Sequence, residues 1–195
     1  NSGGNPVHLI GLSWAGGLNT TETRTEPYDV TGASGACLLL ATTVWKQLGG
    51  FDEEYFAYLE DSELSLRAWR LGLAARGVPT AVARHHYEFS RNAHKMHLLE
   101  RNRLMLLAPV WPRRALLLLA PVLAACELLL LAYGTASGWR KLAGYAWLWR
   151  HRAHLRERRR LIQEESADRA WMARLSPTLD RAAFGPLTPL ANVVF

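Results

Sequence analysis

Cysteine is scarce in this chain, with two residues in 195, Cys37 and Cys126. One lies in a run of small residues and the other in a leucine-rich run, so no disulfide framework is expected and a reducing, cytosolic setting suits the chain. No stretch has the pattern of a secretory signal peptide. A formal net charge of +6 comes without a nucleic-acid recognition motif, so no nucleic-acid partner is expected. Apolar residues make up 49%, an ordinary share that supports one domain core.

What is present centres on Glu60-Asp61. These carboxylates come after the glycine turn Gly49-Gly50-Phe51-Asp52-Glu53 and precede Leu64, Ala68 and Leu71, which fall at helical spacing as far as Gly72. The pair therefore sits in the first turn of a short amphipathic helix. There the helix dipole and free backbone N–H groups favour an ionised carboxylate, which can take a proton from a hydroxyl. The same geometry also describes an ordinary acidic helix cap. Upstream, Gly32-Ala33-Ser34-Gly35 is a small-residue loop that lets backbone approach a ligand, or an ordinary turn. His85-His86 ends a strand further on, where a histidine is commonly structural. His94 and His97 share a helix face and read as helix surface.

The ordered set Asn1-Ser2-Gly3-Gly4-Asn5-Pro6-Val7-His8, Gly11 to Gly17, Gly32 to Ala36, Gly49 to Glu53 and Glu60-Asp61 resembles the family 2 inverting glycosyltransferases, specifically their rhamnosyltransferase-like bacterial members. The resemblance continues through His85 to Asn92 and Glu100-Arg101-Asn102-Arg103-Leu104, then into Glu127 and Gly138-Trp139 with Lys141, reaching about residue 165. Glu63 departs from it, since these enzymes usually carry Asp there. The implied fold is α/β: the C-terminal, acceptor-side half of a GT-A nucleotide-diphospho-sugar transferase domain, followed by a hydrophobic, mainly helical, membrane-associated tail. The strand-rich nucleotide-binding half and its Asp-rich metal motif are not in this sequence. Val7 to Leu12 and Asp29-Val30 read as strand pieces of an incomplete sheet, so the fragment alone is expected to bind nucleotide sugar poorly and to transfer nothing.

The resemblance implies a direct displacement at the anomeric carbon of a nucleotide sugar. Asp61 would be the general base on the acceptor hydroxyl, with Glu60 shaping the site; two adjacent carboxylates repel, which lifts one toward the working pH. Gly32, Ala33, Ser34 and Gly35 would lie against the donor sugar and acceptor opening, with Asp52 and Glu53 at the acceptor mouth. A divalent metal, Mg or Mn, would hold the leaving diphosphate, and His85 would help bind it, with His86 as the fallback.

Residues 1–103 are thus expected to form the catalytic half-domain, 104–137 a hydrophobic helical segment, 138–165 a basic aromatic helix, and 166–195 a proline-containing, loosely docked tail. Ala115 to Tyr133 contains nine leucines interrupted by Pro121 and Glu127. At roughly −0.5 kcal/mol each they favour insertion by about −4.5, against about +2.5 to +3.5 for the charge. Basic residues on both flanks oppose a simple span, so a re-entrant or in-plane hairpin bent near Pro121 is preferred, with a buried helix as the remaining reading. Trp139, Trp147 and Trp149 among arginines suit an anionic membrane surface.

Two functions are consistent with this pattern. One is the transfer of a sugar from a nucleotide-sugar donor to a cell-envelope glycan or lipid-linked acceptor, with inversion, at the cytoplasmic face of a bacterial cell membrane. The alternative is a catalytically silent, membrane-associated scaffold that keeps a glycosyltransferase-like fold.

Overall fold

A computed structural model of the chain describes residues 3–84, 95–133, 138–165, 170–186 and 188–192. It divides into two compact units, the first made of residues 1–54, 60–87 and 168–195, the second of residues 55–59 and 88–167.

The first unit contains β1 (Tyr28–Asp29), α1 (Thr42–Leu48), α2 (Glu60–Arg70) and β2 (Arg76–Gly77). β1 pairs antiparallel with β2, Tyr28 opposite Gly77 and Asp29 opposite Arg76. The early segment makes only isolated bridges, Asn5 with Gly32, Val7 with Ser13 and His8 with Ser176. Glycines explain why no longer ladder forms. Gly4, Gly11 and Gly17 take positive φ and break the extended backbone every few residues.

Helix α2 buries Ser62 to Arg67 and Arg70, Leu64 and Leu66 among them, and Val7, Ile10, Val30, Trp171 and Leu175 are also buried in this unit. The helix ends where expected. Gly72 takes φ 74° and Leu73 N–H bonds back to Ala68 O at 2.9 Å, a glycine-terminated helix end. The C-terminal segment belongs to this unit and is stitched to it. Ser176 N–H bonds Val7 O (2.8 Å), Thr31 Oγ1 donates to Arg174 O (2.6 Å), and Arg174 pairs with Asp29 at 2.7 Å while stacking over Trp69.

The second unit is helical, with α3 (Lys95–Val110), α4 (Arg113–Tyr133), α5 (Gly138–Arg150) and α6 (Arg152–Glu165). Leucine, alanine and arginine dominate these segments and carry high helix propensity. Tyr55, Leu59 and Met105 form a buried cluster covered by Trp147, Leu148 and Leu155. The stretch 138–165 is two helices, broken at His151, rather than one.

These elements correct the expected architecture. An α/β half-domain with a hydrophobic membrane-associated tail does not form: the described residues are mostly helical, and their sheet is a single two-stranded pair. Nor is any described helix long and apolar enough to cross a membrane. Glu127 supplies the physical reason in α4. It accepts hydrogen bonds from Arg103 of α3 and Tyr145 of α5 and pairs with Lys141 at 2.9 Å, so the charge inside the leucine run fastens α4 to its neighbours.

Candidate functional site

Asp61 lies in the first turn of α2, in the first unit, and both of its carboxylate oxygens are held. Gly35 N–H donates to Oδ2 at 2.7 Å and the Asn5 amide donates to the same atom at 3.1 Å. Ser62 N–H donates to Oδ1 at 2.6 Å, with the Ser62 hydroxyl at 3.3 Å. The small-residue loop thus closes directly onto the carboxylate. A Cβ at Gly35 would stand 3.3 Å from both Cβ and Oδ2 of Asp61, so glycine is what lets the loop amide reach it.

The rest of the loop is fixed by α2. Ala33 N–H bonds Ser65 Oγ at 3.0 Å, and Ser65 Oγ in turn donates to Asp61 O at 2.7 Å. Gly32 O accepts from Asn5 N–H at 2.6 Å, which ties the Asn5 side chain to its place beside Asp61. Ser34 O accepts from Cys37 N–H at 3.2 Å and turns the chain.

Glu60 differs from its neighbour. Its Oε2 is buried with no hydrogen-bond partner among the described residues. Burial, countered by its own backbone N–H and reinforced by the charge of Asp61, pushes its carboxyl above the usual range. Asp52 acts locally, its Oδ1 accepting from Glu54 N–H at 3.1 Å and so capping the 3-10 turn Glu53–Tyr55. Glu53 is exposed in that turn.

Sequence reasoning singled out Asp61 and the loop but not the groups that link them. Asn5, Ser62 and Ser65 were the missing partners; the signal was present in the serines one and four residues after Asp61, polar at positions that α2 buries. Glu63, where the resembled enzymes usually carry Asp, accepts from Arg67 Nε and Nη2 through its two carboxylate oxygens, at 2.8 and 2.7 Å. Arg67 also donates to Leu48 O and Gly50 O, so this buried pair holds the glycine turn.

His85 and His86 lie outside the described residues. Among the described residues no group of three or more His, Cys, Asp or Glu is placed to hold a metal ion. Asp61 presents its oxygens to N–H and O–H donors rather than toward other acceptors. The described residues therefore do not by themselves fit a divalent metal.

No family model matches the chain, and no solved structure matches it. Two curated proteins are similar over part of it, each an N-acetylglucosaminyl-diphospho-decaprenol L-rhamnosyltransferase of Mycobacterium tuberculosis, from strains CDC 1551 / Oshkosh and ATCC 25618 / H37Rv. Both are 39% identical over 83 residues, 40% of this chain and 27% of the relative. The match thus spans about a quarter of those relatives' length. Over that stretch the chain is similar to a glycosyltransferase.

Proposed function

We propose that the protein to which this chain belongs transfers a sugar, by inversion, from a nucleotide-sugar donor to a lipid-linked cell-envelope acceptor, with Asp61 as general base. The partial identity to two rhamnosyltransferases carries this reading. By their names the relatives act on a decaprenol diphosphate bearing N-acetylglucosamine, so the proposed chemistry is a rhamnosyl-type transfer to a polyprenyl-diphosphate-linked amino sugar. The acceptor's lipid would bring the reaction to the cytoplasmic face of a bacterial cell membrane.

Asp61 takes the proton of the acceptor hydroxyl as its oxygen attacks the anomeric carbon. The bond from that carbon to the diphosphate oxygen breaks, its electron pair leaves with the nucleoside diphosphate, and the configuration inverts. The carboxylate needs a lone pair free for this. The Ser62 hydroxyl, the longest of the four contacts on Asp61 at 3.3 Å, has Ser13 Oγ 3.4 Å away as an alternative partner. An acceptor hydroxyl replaces it on Oδ1 while Gly35 and Asn5 keep Oδ2 oriented. Gly32 to Gly35 then face the donor sugar, and Asp52 and Glu53 the acceptor.

A divalent metal on the leaving diphosphate belongs to this reading through the family resemblance alone. Its ligands would come from outside the described residues, where His85 and His86 fall, and no step above runs through it.

The test is nucleoside diphosphate release by the full-length protein with bacterial membranes and a panel of nucleotide sugars. Asp61→Asn should cut release by about a hundredfold to ten-thousandfold, the usual contribution of a positioned base. Unchanged release in the variant would remove Asp61 as base, and absence of release with every donor would remove the transferase reading.

A further inference from the structure

The carboxylate of Asp61 is oriented from two segments, by the Gly35 amide of the small-residue loop and by the Asn5 side chain. Neither donor sits on regular structure. β1 and β2 pair over only two residues, and the pairing of Asn5 with Gly32 is an isolated bridge. Strand pairing this short is marginal in water, so it does not by itself set where the two segments lie.

A third segment, residues 174–176, holds both. On the loop side it grips residues 29–31, which lead into Gly32. The Arg174 guanidinium pairs with Asp29 at 2.7 Å and lies over the Trp69 ring, 4.2 Å from its centroid. The Trp69 indole N–H in turn donates to Val30 O at 3.0 Å, and Thr31 Oγ1 donates to Arg174 O at 2.6 Å. On the Asn5 side, Ser176 N–H bonds Val7 O at 2.8 Å and Ser176 O accepts from Leu9 N–H at 3.2 Å, which fixes the backbone two residues beyond Asn5. All of these residues belong to the first unit.

Stability does not account for this arrangement. The Arg174 and Asp29 side chains are 41% and 37% exposed, and a surface pair of that kind contributes little to folding. Its effect is geometric. Residues 29, 30 and 31 are each held, and the next four carry the loop whose last amide must come within 2.7 Å of Asp61 Oδ2.

We propose that residues 174–176 are a positioning element for Asp61, with Arg174 and Thr31 as its positioning side chains. The segment sets the spacing between residues 29–31 and Val7, and thereby where Gly35 and Asn5 meet the carboxylate. The consequence for transfer rests on the base role proposed for Asp61, whereas the positioning itself does not.

The experiment compares wild type, Arg174→Ala, Thr31→Val and Thr31→Ser in the full-length protein. The first readout is nuclear magnetic resonance of the Gly35 backbone amide and the Asn5 side-chain amide, the two donors on Asp61 Oδ2. In Arg174→Ala and Thr31→Val both signals should shift and the Gly35 amide should exchange faster. Thr31→Ser keeps the hydroxyl and should match wild type. The second readout is transfer at a temperature well below melting. Turnover should fall about tenfold in the first two variants, less than the hundredfold that goes with about 1 Å of misplacement, with donor KM within about twofold. The melting temperature should hardly change.

Unchanged Gly35 and Asn5 signals in either Arg174→Ala or Thr31→Val overturn the proposal, as does a Thr31→Ser variant that loses as much as Thr31→Val. Shifted signals with unchanged turnover support the positioning and remove the base role of Asp61 instead. Should Arg174→Ala not fold, Arg174→Lys keeps the charge beside Asp29 but loses the planar stack over Trp69, and it must shift the same signals in the same direction. No shift there also overturns the proposal.

Discussion

The two units reach a fixed structure by opposite means. In the second, long helices close a core of Tyr55, Leu59 and Met105 under Trp147, Leu148 and Leu155, and the helical backbone bonds largely to itself, with Asn102, Arg159 and Gln163 serving carbonyls of loops and helix ends. In the first, strands are two residues long and much of the backbone is irregular. Side chains take over there. Arg67 serves the carbonyls of Leu48 and Gly50, Ser65 an amide of the small-residue loop, the Asp61 carboxylate the Gly35 amide beside the Asn5 side chain, and Thr31 the carbonyl of Arg174. A unit held this way is sensitive to single polar substitutions, whereas a helical unit is sensitive to the loss of apolar volume.

The largest effect expected from breaking this contrast comes at the buried pair Glu63–Arg67. Arg67→Met takes the guanidinium away from a buried carboxylate and two carbonyls and should destabilise the first unit by about 3–5 kcal/mol, followed by tryptophan fluorescence in denaturant. Far-ultraviolet circular dichroism, dominated by the second unit's helices, should hardly change at the same denaturant concentration. The double variant Glu63→Leu/Arg67→Met should recover much of the loss, because no lone charge stays buried. A single shared transition in every variant would show that the units do not differ in this way.

The second unit also holds a polar network, centred on Glu127, and it sharpens the comparison. Glu127→Gln weakens the contacts to Arg103, Lys141 and Tyr145 and should cost about 1.5–3 kcal/mol, the range for hydrogen bonds to charged groups. Urea unfolding measures it. A cost as large as that of Arg67→Met would mean that α4 depends on polar contacts as heavily as the first unit does.

Gly35→Ala separates stability from function within the first unit. The new methyl group meets Asp61 at 3.3 Å, so the loop or the carboxylate must give by a few tenths of an ångström. Melting should move little while transfer falls about tenfold, read as turnover at saturating donor.

The smallest effect is at Glu60. Its folded pKa is raised by burial and by Asp61, so the folded state binds this proton more tightly than the unfolded chain. Stability from this group is complete below the ordinary value of 4.5 and is lost as pH rises through the raised folded value. Glu60→Gln should therefore melt slightly higher than wild type at pH 7 to 8, with the gap closing below pH 4.5. Calorimetry across that range checks the sign.

The helical pattern around Glu60-Asp61, its end at Gly72 and the small-residue loop upstream could be read from the chain because each depends on a few neighbouring residues. The α/β fold was expected from the family resemblance, with Val7 to Leu12 and Asp29-Val30 read as strand pieces of an incomplete sheet. Glycines with positive φ break those pieces into single bridges, and periodicity over so few residues does not register this. The membrane-associated tail was expected from nine leucines in one run. What countered it was Glu127, whose partners Arg103, Lys141 and Tyr145 come from two other helices.

By itself, then, the sequence determined the local elements: α2 with its acidic first turn, the glycine turns, and a helical second half rich in leucine and arginine. Only the tertiary structure decided which polar groups meet. Asn5 and Gly35 on Asp61, Arg67 on the glycine turn, and Asn102 on the loop before Glu60 span 56, 26, 17 and 44 residues or more. Helix and turn propensities act over a few residues, whereas these contacts are chosen by the need to satisfy every buried polar group once the chain has closed on itself.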